Sequence, residues 1–512
     1  MSRCMQESLR VGLASLALAA TAAWGSDAAA TDLVRAQRIR DDVLQLRFDD
    51  AQRLLAGADA SDTAMELERG RMLYYETRYD EALGVLDRPD VAATDEGARL
   101  GALAKACARG TAGAVVVRDD AHQLIVRLQD DRDQVLVPML ARVVSAMRET
   151  LDRDLGITLP SPLRIELVRD HFSLAEMTGL PETSARTTGT VAIANWGRVT
   201  MISPRSMADG YPWMVTLAHE LTHVALGMAT IDRAPLWFQE GIAKFEETRW
   251  RSCDPWDDYP SSDSIAAVGY DLGLARDIEH LGPSVAMLPT PEDAMVAFAQ
   301  VQSLVRYIHR DGGPRALADI IAEMREAPSG DDPRDAVERA TGRGLDDWVA
   351  AWRGWLDSVP RDLPPEVGLG APPPGHGQAS RDARLGDLLL ARGHDDAAVV
   401  VLGRARDQAP NDLRLRGMLA QGLMALGRND DARAEVSPSG PPFFPDARAL
   451  TLRGFFLAAD GDVSGAAVSF DQALALAPWD RKVACEWLAP PAVPADPDRA
   501  SLCRAARSWP ID

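Results

Sequence analysis

Two histidines and a glutamate stand close together in the segment 217–247, LAHELTHVALGMATIDRAPLWFQEGIAKFEE. His219 and His223 are four residues apart, so in a helix they lie on one face, where both imidazoles can reach one ion. Glu220 lies beside them, within reach of a water molecule at that ion. The chain has only 8 histidines in 512 residues, and this pattern would arise by chance roughly 0.02 times in such a chain. The spacing therefore predicts a zinc site.

The flanking sequence indicates the helix that must carry these residues. Pro212 suits a first helical turn and Gly227 suits a helix end. Between them, apolar residues recur at steps of three and four, as on the buried face of a helix: Met214, Leu217, Leu221 and Val224. The sequence therefore predicts a helix over 212–226.

A third ligand must come from elsewhere, because catalytic zinc usually binds three protein groups and keeps one position open. Asp232 and Pro235 predict the start of a second, antiparallel helix. At about 1.5 Å per residue, Glu240 then lies at nearly the same height as His223. Gly241 predicts a close approach to the histidine helix, since glycine inside a helix costs about 1 kcal/mol relative to alanine. Glu240 is therefore the predicted third ligand.

The second helix carries two further glutamates. Glu246 is predicted to point away from the ion. Glu247 lies about 10 Å beyond Glu240 along the helix axis, too far for a bond of about 2 Å. For Glu247 two roles stay open, a hydrogen-bond partner behind the ligands or a solvated charge, and the sequence favours the solvated charge.

The segment 113–358, which contains these helices, also carries strand patterns. LRIELVRD at 163–170 and TVAIANWGRVTMIS at 190–203 alternate and are rich in β-branched residues, which predicts strands and a hairpin turn at 195–198. A stretch rich in proline and glycine follows at 359–378 and predicts a semi-rigid linker.

A 34-residue period marks the segment 379–480. Small residues recur at this interval: Gly393, Gly427 and Gly461, each followed five residues later by Ala398, Ala432 and Ala466. This pattern resembles the tetratricopeptide (TPR) repeat, in which each unit is a helical hairpin that packs on its neighbours. The middle copy loses the pattern after Val436. The region 31–112 contains RGRMLYYETRYDEALGVLD, which resembles one more such unit, with a generic helical hairpin as the alternative.

The histidine motif itself resembles a known family. HELTH, then sixteen residues, then the glutamate of WFQEG is similar to the gluzincin metallopeptidases, specifically the peptidase MA-like domains of exported bacterial proteins. The resemblance spans most of 113–358. It implies an α+β zincin-like fold, one Zn²⁺ held by His219, His223 and Glu240, Glu220 as the catalytic base, and hydrolysis of peptide bonds.

One position departs from this family. Relatives often have a tyrosine where this chain has Phe298, so the group that stabilises the oxyanion stays unassigned. Four other side chains could donate a hydrogen bond to the oxyanion, although residues of these types more often have a structural role: Tyr270, Tyr307, His280 and His309.

Charge and the N-terminal residues limit the partners and the location. With 55 basic against 76 acidic side chains the net charge is −21, which repels nucleic acid and anionic lipid. Arg3 and Arg10 precede an apolar run that ends near Trp24, which predicts a signal peptide and export to the periplasm or the medium. An uncleaved anchor is the alternative, because the run is shorter than the ~20 residues of a membrane span. No other stretch predicts a span in the mature chain.

The cysteines match no metal-binding spacing. Cys485 and Cys503, eighteen residues apart, could pair in an oxidising compartment, and buried free thiols are the equal alternative.

Together these patterns predict an α+β zincin-like metallopeptidase domain with all-α, TPR-like repeats on both sides. The expected division is a signal peptide (1–25), a helical TPR-like region (31–112), the peptidase domain (113–358), a linker (359–378), TPR repeats (379–480) and a tail (481–512).

The expected function is zinc-dependent cleavage of a protein or peptide, with the repeats binding a protein partner or the substrate. The alternative is an inactive TPR adaptor that keeps a remnant peptidase domain. M48-like exported proteases, which also carry TPR repeats, are a further alternative that the WFQEG segment disfavours.

Overall fold

A computed structural model describes residues 27–480, apart from 60, 208–209, 329–330, 365–366, 370–375 and 438–444, together with 483, 485, 503 and 504. The predicted signal peptide and most of the tail lie outside the described residues. Within the described part the protein is mostly helical and has one small mixed sheet. None of the described helices is long and apolar enough to cross a bilayer.

The N-terminal region consists of six helices: α1 (Asp27–Leu44), α2 (Phe48–Leu55), α3 (Thr63–Tyr75), α4 (Tyr79–Leu86), α5 (Pro89–Ala92) and α6 (Asp95–Gly110). The side chain of Asp62 caps α3 by accepting hydrogen bonds from two backbone N–H groups. α3 and α4 pack closely as a hairpin, because a Cβ at Gly70 would collide with Leu86. This region has its own apolar core.

The sheet of the middle region has five strands: β1 (Val115–Asp119), β2 (Leu124–Leu128), β3 (Leu163–Val168), β4 (Ala192–Asn195) and β5 (Arg198–Ile202). Their order is β1-β2-β3-β5-β4, with β2, β3 and β5 parallel and the two outer strands antiparallel to their neighbours. The predicted hairpin joins β4 and β5 through Trp196 and Gly197, both at positive φ. Positive φ at both central residues is the geometry of a two-residue hairpin turn.

The described residues of the middle region also form four short 3-10 helices and ten α-helices: α7 (Val137–Leu155), α8 (His171–Thr178), α9 (Glu182–Thr188), α10 (Trp213–Thr230), α11 (Leu236–Glu246), α12 (Ser262–Asp271), α13 (Pro291–Gly312), α14 (Ala316–Glu326), α15 (Pro333–Thr341) and α16 (Leu345–Leu356). α10 lies at the centre, in contact with α7, α11, α14, β4 and β5. Its buried face joins an apolar core that continues into the C-terminal helices.

In the C-terminal region the described residues form three helical hairpins: α17 (His376–Ala391) with α18 (Asp395–Gln408), α19 (Leu413–Ala425) with α20 (Asn429–Val436), and α21 (Ala447–Ala459) with α22 (Val463–Leu476). The three periodic glycines occupy the hairpin turns with φ of 72°, 73° and 82°, a conformation that favours glycine. Two small residues allow the helices to cross closely, since a Cβ at Gly386 would collide with Leu402, and one at Gly454 with Phe470. The separation of 16 residues equals that between Gly70 and Leu86.

The segment between α16 and α17 is partly packed. Val359 and Val367 are buried, and α17 begins at His376, inside the stretch expected to be linker. Beyond α22, Cys485 and Cys503 form a disulfide. Of the two predicted states of these cysteines, paired or free, the structure shows the paired one. Cys107 is a buried free thiol and Cys253 an exposed one.

Candidate functional site

The histidine helix α10 is longer than the sequence suggested. It continues past Gly227 to Thr230 and ends where Ile231 adopts a left-handed conformation (φ 55°, ψ 47°). The expectation that Gly227 ends the helix was therefore wrong. Gly227 instead makes room for the next turn, because a Cβ there would lie 2.8 Å from a carboxylate oxygen of Asp232.

The predicted ligands come together at one point between α10 and α11. Nε2 of His219 and Nε2 of His223 are 3.2 Å apart. One carboxylate oxygen of Glu240 lies 3.4 Å from each of these nitrogens. Bonds of about 2.0–2.1 Å in a tetrahedral zinc site put neighbouring donors about 3.3 Å apart. The two nitrogens and one oxygen could therefore hold a metal ion.

The electrostatics of this cluster also favour a cation. Burial opposes protonation of His219, but hydrogen bonds with Glu240 and Glu247 outweigh it and raise the pKa of His219 to about 10. For Glu240, burial would raise the pKa, but the nearby His223 and hydrogen bonds with both histidines hold it well below its ordinary value. The surroundings thus stabilise positive charge between the two helices, where a proton and a metal ion would compete.

The neighbour of Gly241 differs from the predicted one. A Cβ at Gly241 would lie 2.7 Å from the carbonyl oxygen of Val301 and would also collide with Val305, and both residues belong to α13. The glycine therefore permits close packing against α13, and the prediction that it faces the histidine helix was wrong. Glu240 reaches the site because its helix is fixed between α10 and α13.

Glu220 lies on the side of α10 that faces the edge strand β4. It is largely buried, with 8% of its surface exposed. Burial raises the pKa of Glu220 above its ordinary value, although His219 and His223 lower it, and the backbone N–H of Ala194 lowers it as a donor to the carboxylate. A carboxylate that is poised to accept a proton, one residue from a ligand, is the arrangement of a general base.

Glu247 has a role that the sequence disfavoured. One of its oxygens lies 3.0 Å from Nδ1 of His219, and the other is ion-paired with Lys244. Its side chain is only 13% exposed, so the favoured solvated charge was wrong. The distance along the helix axis keeps Glu247 away from the ion. The outer nitrogen of His219, Nδ1, lies farther along α11, where the Glu247 carboxylate can reach it.

Glu246 points away from the cluster, as expected. Its carboxyl group is fully buried, 3.6 Å from Nε of Arg249. Burial, together with the neighbouring Asp154 carboxylate, raises the pKa of Glu246 to about 8.

Phe298, which stands where relatives often have a tyrosine, lies beside the site. The Phe298 ring on α13 packs edge-on against His219, with 6.2 Å between ring centres, and its apolar ring offers no hydrogen-bond donor. Each of the four alternative donors makes its contacts elsewhere: Tyr270 with Gln300 and Arg353, Tyr307 with Trp348 and Trp355, His280 with Asp277, and His309 with Phe245.

Two neighbours of the site were missed by the sequence reasoning. Tyr211 precedes α10 and donates its hydroxyl to the carbonyl oxygen of Ile202. Burial, with Glu220 and Asp133 nearby, raises the pKa of Tyr211. Lys244 lies one turn after Glu240. The one available signal for Lys244 was its i+4 spacing from that ligand.

Comparison with known proteins identifies the C-terminal region alone. A tetratricopeptide repeat family model matches residues 384–454, which confirms the predicted repeats there and indicates interaction with protein partners. No curated protein matches the chain. The N-terminal unit and the peptidase-like segment stay predictions.

Proposed function

We propose that this protein is a zinc-dependent peptidase with a zincin-like middle domain. The observation that supports this function best is the triangle of two imidazole nitrogens and one carboxylate oxygen, with sides of 3.2, 3.4 and 3.4 Å, beside the carboxylate of Glu220. His219, His223 and Glu240 would hold the ion. The only group of three or more potential ligands found among the described residues is this one.

The chemistry divides between the ion and the chain. When bound, zinc would supply a Lewis acid that polarises the scissile carbonyl and lowers the pKa of water. Glu220 would accept a proton from the attacking water at its carboxylate and return it to the leaving amine. Its raised pKa favours acceptance of the proton, because burial stabilises the protonated carboxyl.

The edge strand β4 offers a place for an extended peptide. Ile202 donates its N–H to the carbonyl of Val191, so in the alternating antiparallel pattern the backbone groups of Ala192 and Ala194 face away from β5. No described strand pairs with β4 on that side. The N–H of Ala194 already donates to Glu220. A substrate that adds to this edge would therefore be held through the N–H and C=O of Ala192 and the C=O of Ala194, beside Glu220.

The TPR match favours a role for protein partners, either as substrates or as assembly partners. Export to the periplasm or the medium is part of the proposal and rests on the N-terminal sequence. The competing function is that of a TPR adaptor whose peptidase-like domain does no chemistry, and the same TPR match supports it equally.

Two variants separate these functions. Glu220→Gln should bind zinc like the wild type and lose cleavage of an unfolded protein by a factor of at least about 100, because an amide cannot accept the proton. Glu240→Ala should lose most of its zinc affinity together with activity. Zinc content by elemental analysis and cleavage with and without chelator measure both effects.

An adaptor predicts a different result. It would give no chelator-sensitive cleavage in the wild type under conditions where the TPR region still binds a partner. Full turnover in Glu220→Gln would overturn the assignment of the base, and full zinc affinity in Glu240→Ala the assignment of the ligand.

A further inference from the structure

Lys244 lies behind the candidate metal centre and contacts a residue that supports a ligand. Its ammonium group is ion-paired with one oxygen of Glu247, whose other oxygen lies 3.0 Å from Nδ1 of His219. The ammonium also lies 6.0 Å from the centre of the Phe298 ring, and that ring packs against His219. Lys244, Glu247 and Phe298 thus enclose the outer side of one imidazole.

The charge of the site explains why a cation is needed there. Glu220, Glu240 and Glu247 place three carboxylates in one largely buried region, and buried charges require compensation. The histidines contribute no charge when they act as neutral ligands. A divalent ion held by these residues would balance two of the carboxylates, and Lys244 pairs with the third, that of Glu247.

The two histidines are supported unequally. Nδ1 of His219 has a carboxylate partner, whereas for Nδ1 of His223 the described residues provide no hydrogen bond. A hydrogen bond at the outer nitrogen fixes the tautomer and the orientation of a metal-binding imidazole. Glu247 is thus the described partner that can fix the orientation of His219, and Lys244 is the cation that contacts Glu247.

Lysine is also uncommon in this chain. The sequence contains three lysines, at positions 105, 244 and 482, against 52 arginines. Arginine is a wide planar fork, whereas lysine is a compact point charge on a flexible stem. Lys244 contacts the Glu247 carboxylate as such a point charge, 6.0 Å from the centre of the Phe298 ring.

We propose that Lys244 is a positioning residue of the metal centre, which holds Glu247 so that it accepts the Nδ1–H of His219 and leaves Nε2 directed at the ion. The inference rests on the zinc site of the proposed function. It assigns Lys244 no contact with the ion or the substrate.

Lys244 could act only through its positive charge or could position Glu247. These two roles predict opposite changes in zinc affinity for Lys244→Met. If Lys244 acts only as a positive charge, its removal should strengthen the binding of a cation. If it positions Glu247, its removal should weaken zinc binding by about 10- to 100-fold, the usual loss when support behind a ligand is removed. Lys244→Gln provides a second neutral variant that does not depend on the packing of methionine.

Coupling between the two residues gives the second test. Because Lys244 acts through Glu247, the double variant Lys244→Met/Glu247→Gln should bind zinc no more weakly than Glu247→Gln alone. The visible spectrum of the Co²⁺-loaded protein, which reports ligand geometry, should change in the same way in both single variants. Lys105→Met on α6 removes the same charge far from these contacts and should leave the affinity and the spectrum unchanged.

The measurements use the full chain, with zinc affinity obtained by competition with a chromophoric chelator. Weaker binding in both Lys244 variants, without a further loss in the double variant, supports the inference. Equal or tighter binding in both Lys244 variants, or losses that add in full in the double variant, would overturn it. A wild-type protein that binds no zinc would instead refute the proposed function.

Discussion

The helical regions at the two ends of the chain are joined to the sheet domain by different kinds of contact. On the N-terminal side, the fully buried guanidinium of Arg198 lies 3.3 Å from the buried carboxylate of Glu166. Tyr79 on α4 donates its hydroxyl to the same carboxylate at 2.6 Å, and Tyr74 on α3 accepts from Arg198 at 3.1 Å. The contact between the N-terminal region and the sheet, called here the N-terminal joint, is therefore a buried cluster around the Arg198–Glu166 ion pair.

The C-terminal joint combines a continuation of the middle region's apolar core with two contacts nearer the surface. Gln472 on α22 donates to Asp254 at 2.7 Å, and Trp479 packs against the backbone at Gly210, where a Cβ would lie 3.4 Å from its ring. Both contacted residues belong to loops next to the site, before α10 and after α11. The C-terminal repeats thus lie beside the site without sharing a buried charge with the domain that carries it.

This difference has an energetic consequence. Removing one partner of a buried ion pair leaves an uncompensated charge, which costs more than the pair itself contributes. An exposed or apolar joint has no such penalty and can separate with a moderate loss. The N-terminal region should therefore behave as part of the folding unit, and the C-terminal repeats as an attached module.

The largest effect is expected for Arg198→Met. The substitution removes the fully buried cation beside Glu166 and leaves it with Arg127, whose Nε lies 3.8 Å from the carboxylate. We therefore expect a loss of about 3 kcal/mol in the free energy of unfolding, the lower end of the range for breaking a buried pair. Urea unfolding followed by circular dichroism measures it.

The matched control is Arg186→Met, because the pair of Arg186 with Glu182 is exposed, with 69% and 42% of the side chains accessible. That control should change stability by at most about 0.5 kcal/mol. Equal effects of the two variants would show that the buried cluster does not join the N-terminal region to the sheet.

Truncation after Pro364 should have an intermediate effect. It removes the C-terminal repeats with Gln472 and Trp479, and we expect the remainder to fold and bind zinc with a loss on the order of 2 kcal/mol, the burial of one large apolar side chain. Binding of a protein partner should be lost instead, since repeat arrays act mainly as binding surfaces. An unfolded product, seen as a loss of cooperative melting, would contradict the idea of an attached module.

The sequence predicted the parts of this molecule that depend on local pattern. The histidine helix follows from its apolar stripe, and the C-terminal hairpins follow from glycines that the turns require. The pairing of Glu240 with the histidines also followed from helix geometry alone.

What the sequence missed depends on which elements become neighbours in space. Gly241 showed that a helix comes close, but not that the helix is α13. Arg198 was assigned to the hairpin turn at 195–198 although it begins β5, and nothing local shows that two tyrosines from α3 and α4 cover it. Glu247 was placed correctly along its helix and misjudged because its partner is the far nitrogen of His219. Strands β1 (VVVRD) and β2 (LIVRL) begin with three consecutive apolar residues and lack a clear alternating pattern.

The smallest effect is expected for Gln472→Ala, which tests the C-terminal joint with one hydrogen bond. The bond joins a part-buried amide to a carboxylate, and burial and the nearby Asp257 raise the pKa of Asp254 above its ordinary value. A hydrogen bond to a charged group contributes roughly 1.5–3 kcal/mol when buried, and the partial exposure of this one reduces the expected loss to about 1 kcal/mol. Gln37→Ala, which removes an exposed bond to Asp41 within α1, is the control and should change stability by less. If Gln472→Ala costs as much as Arg198→Met, the C-terminal repeats are held as firmly as the N-terminal region, and the distinction between the two joints fails.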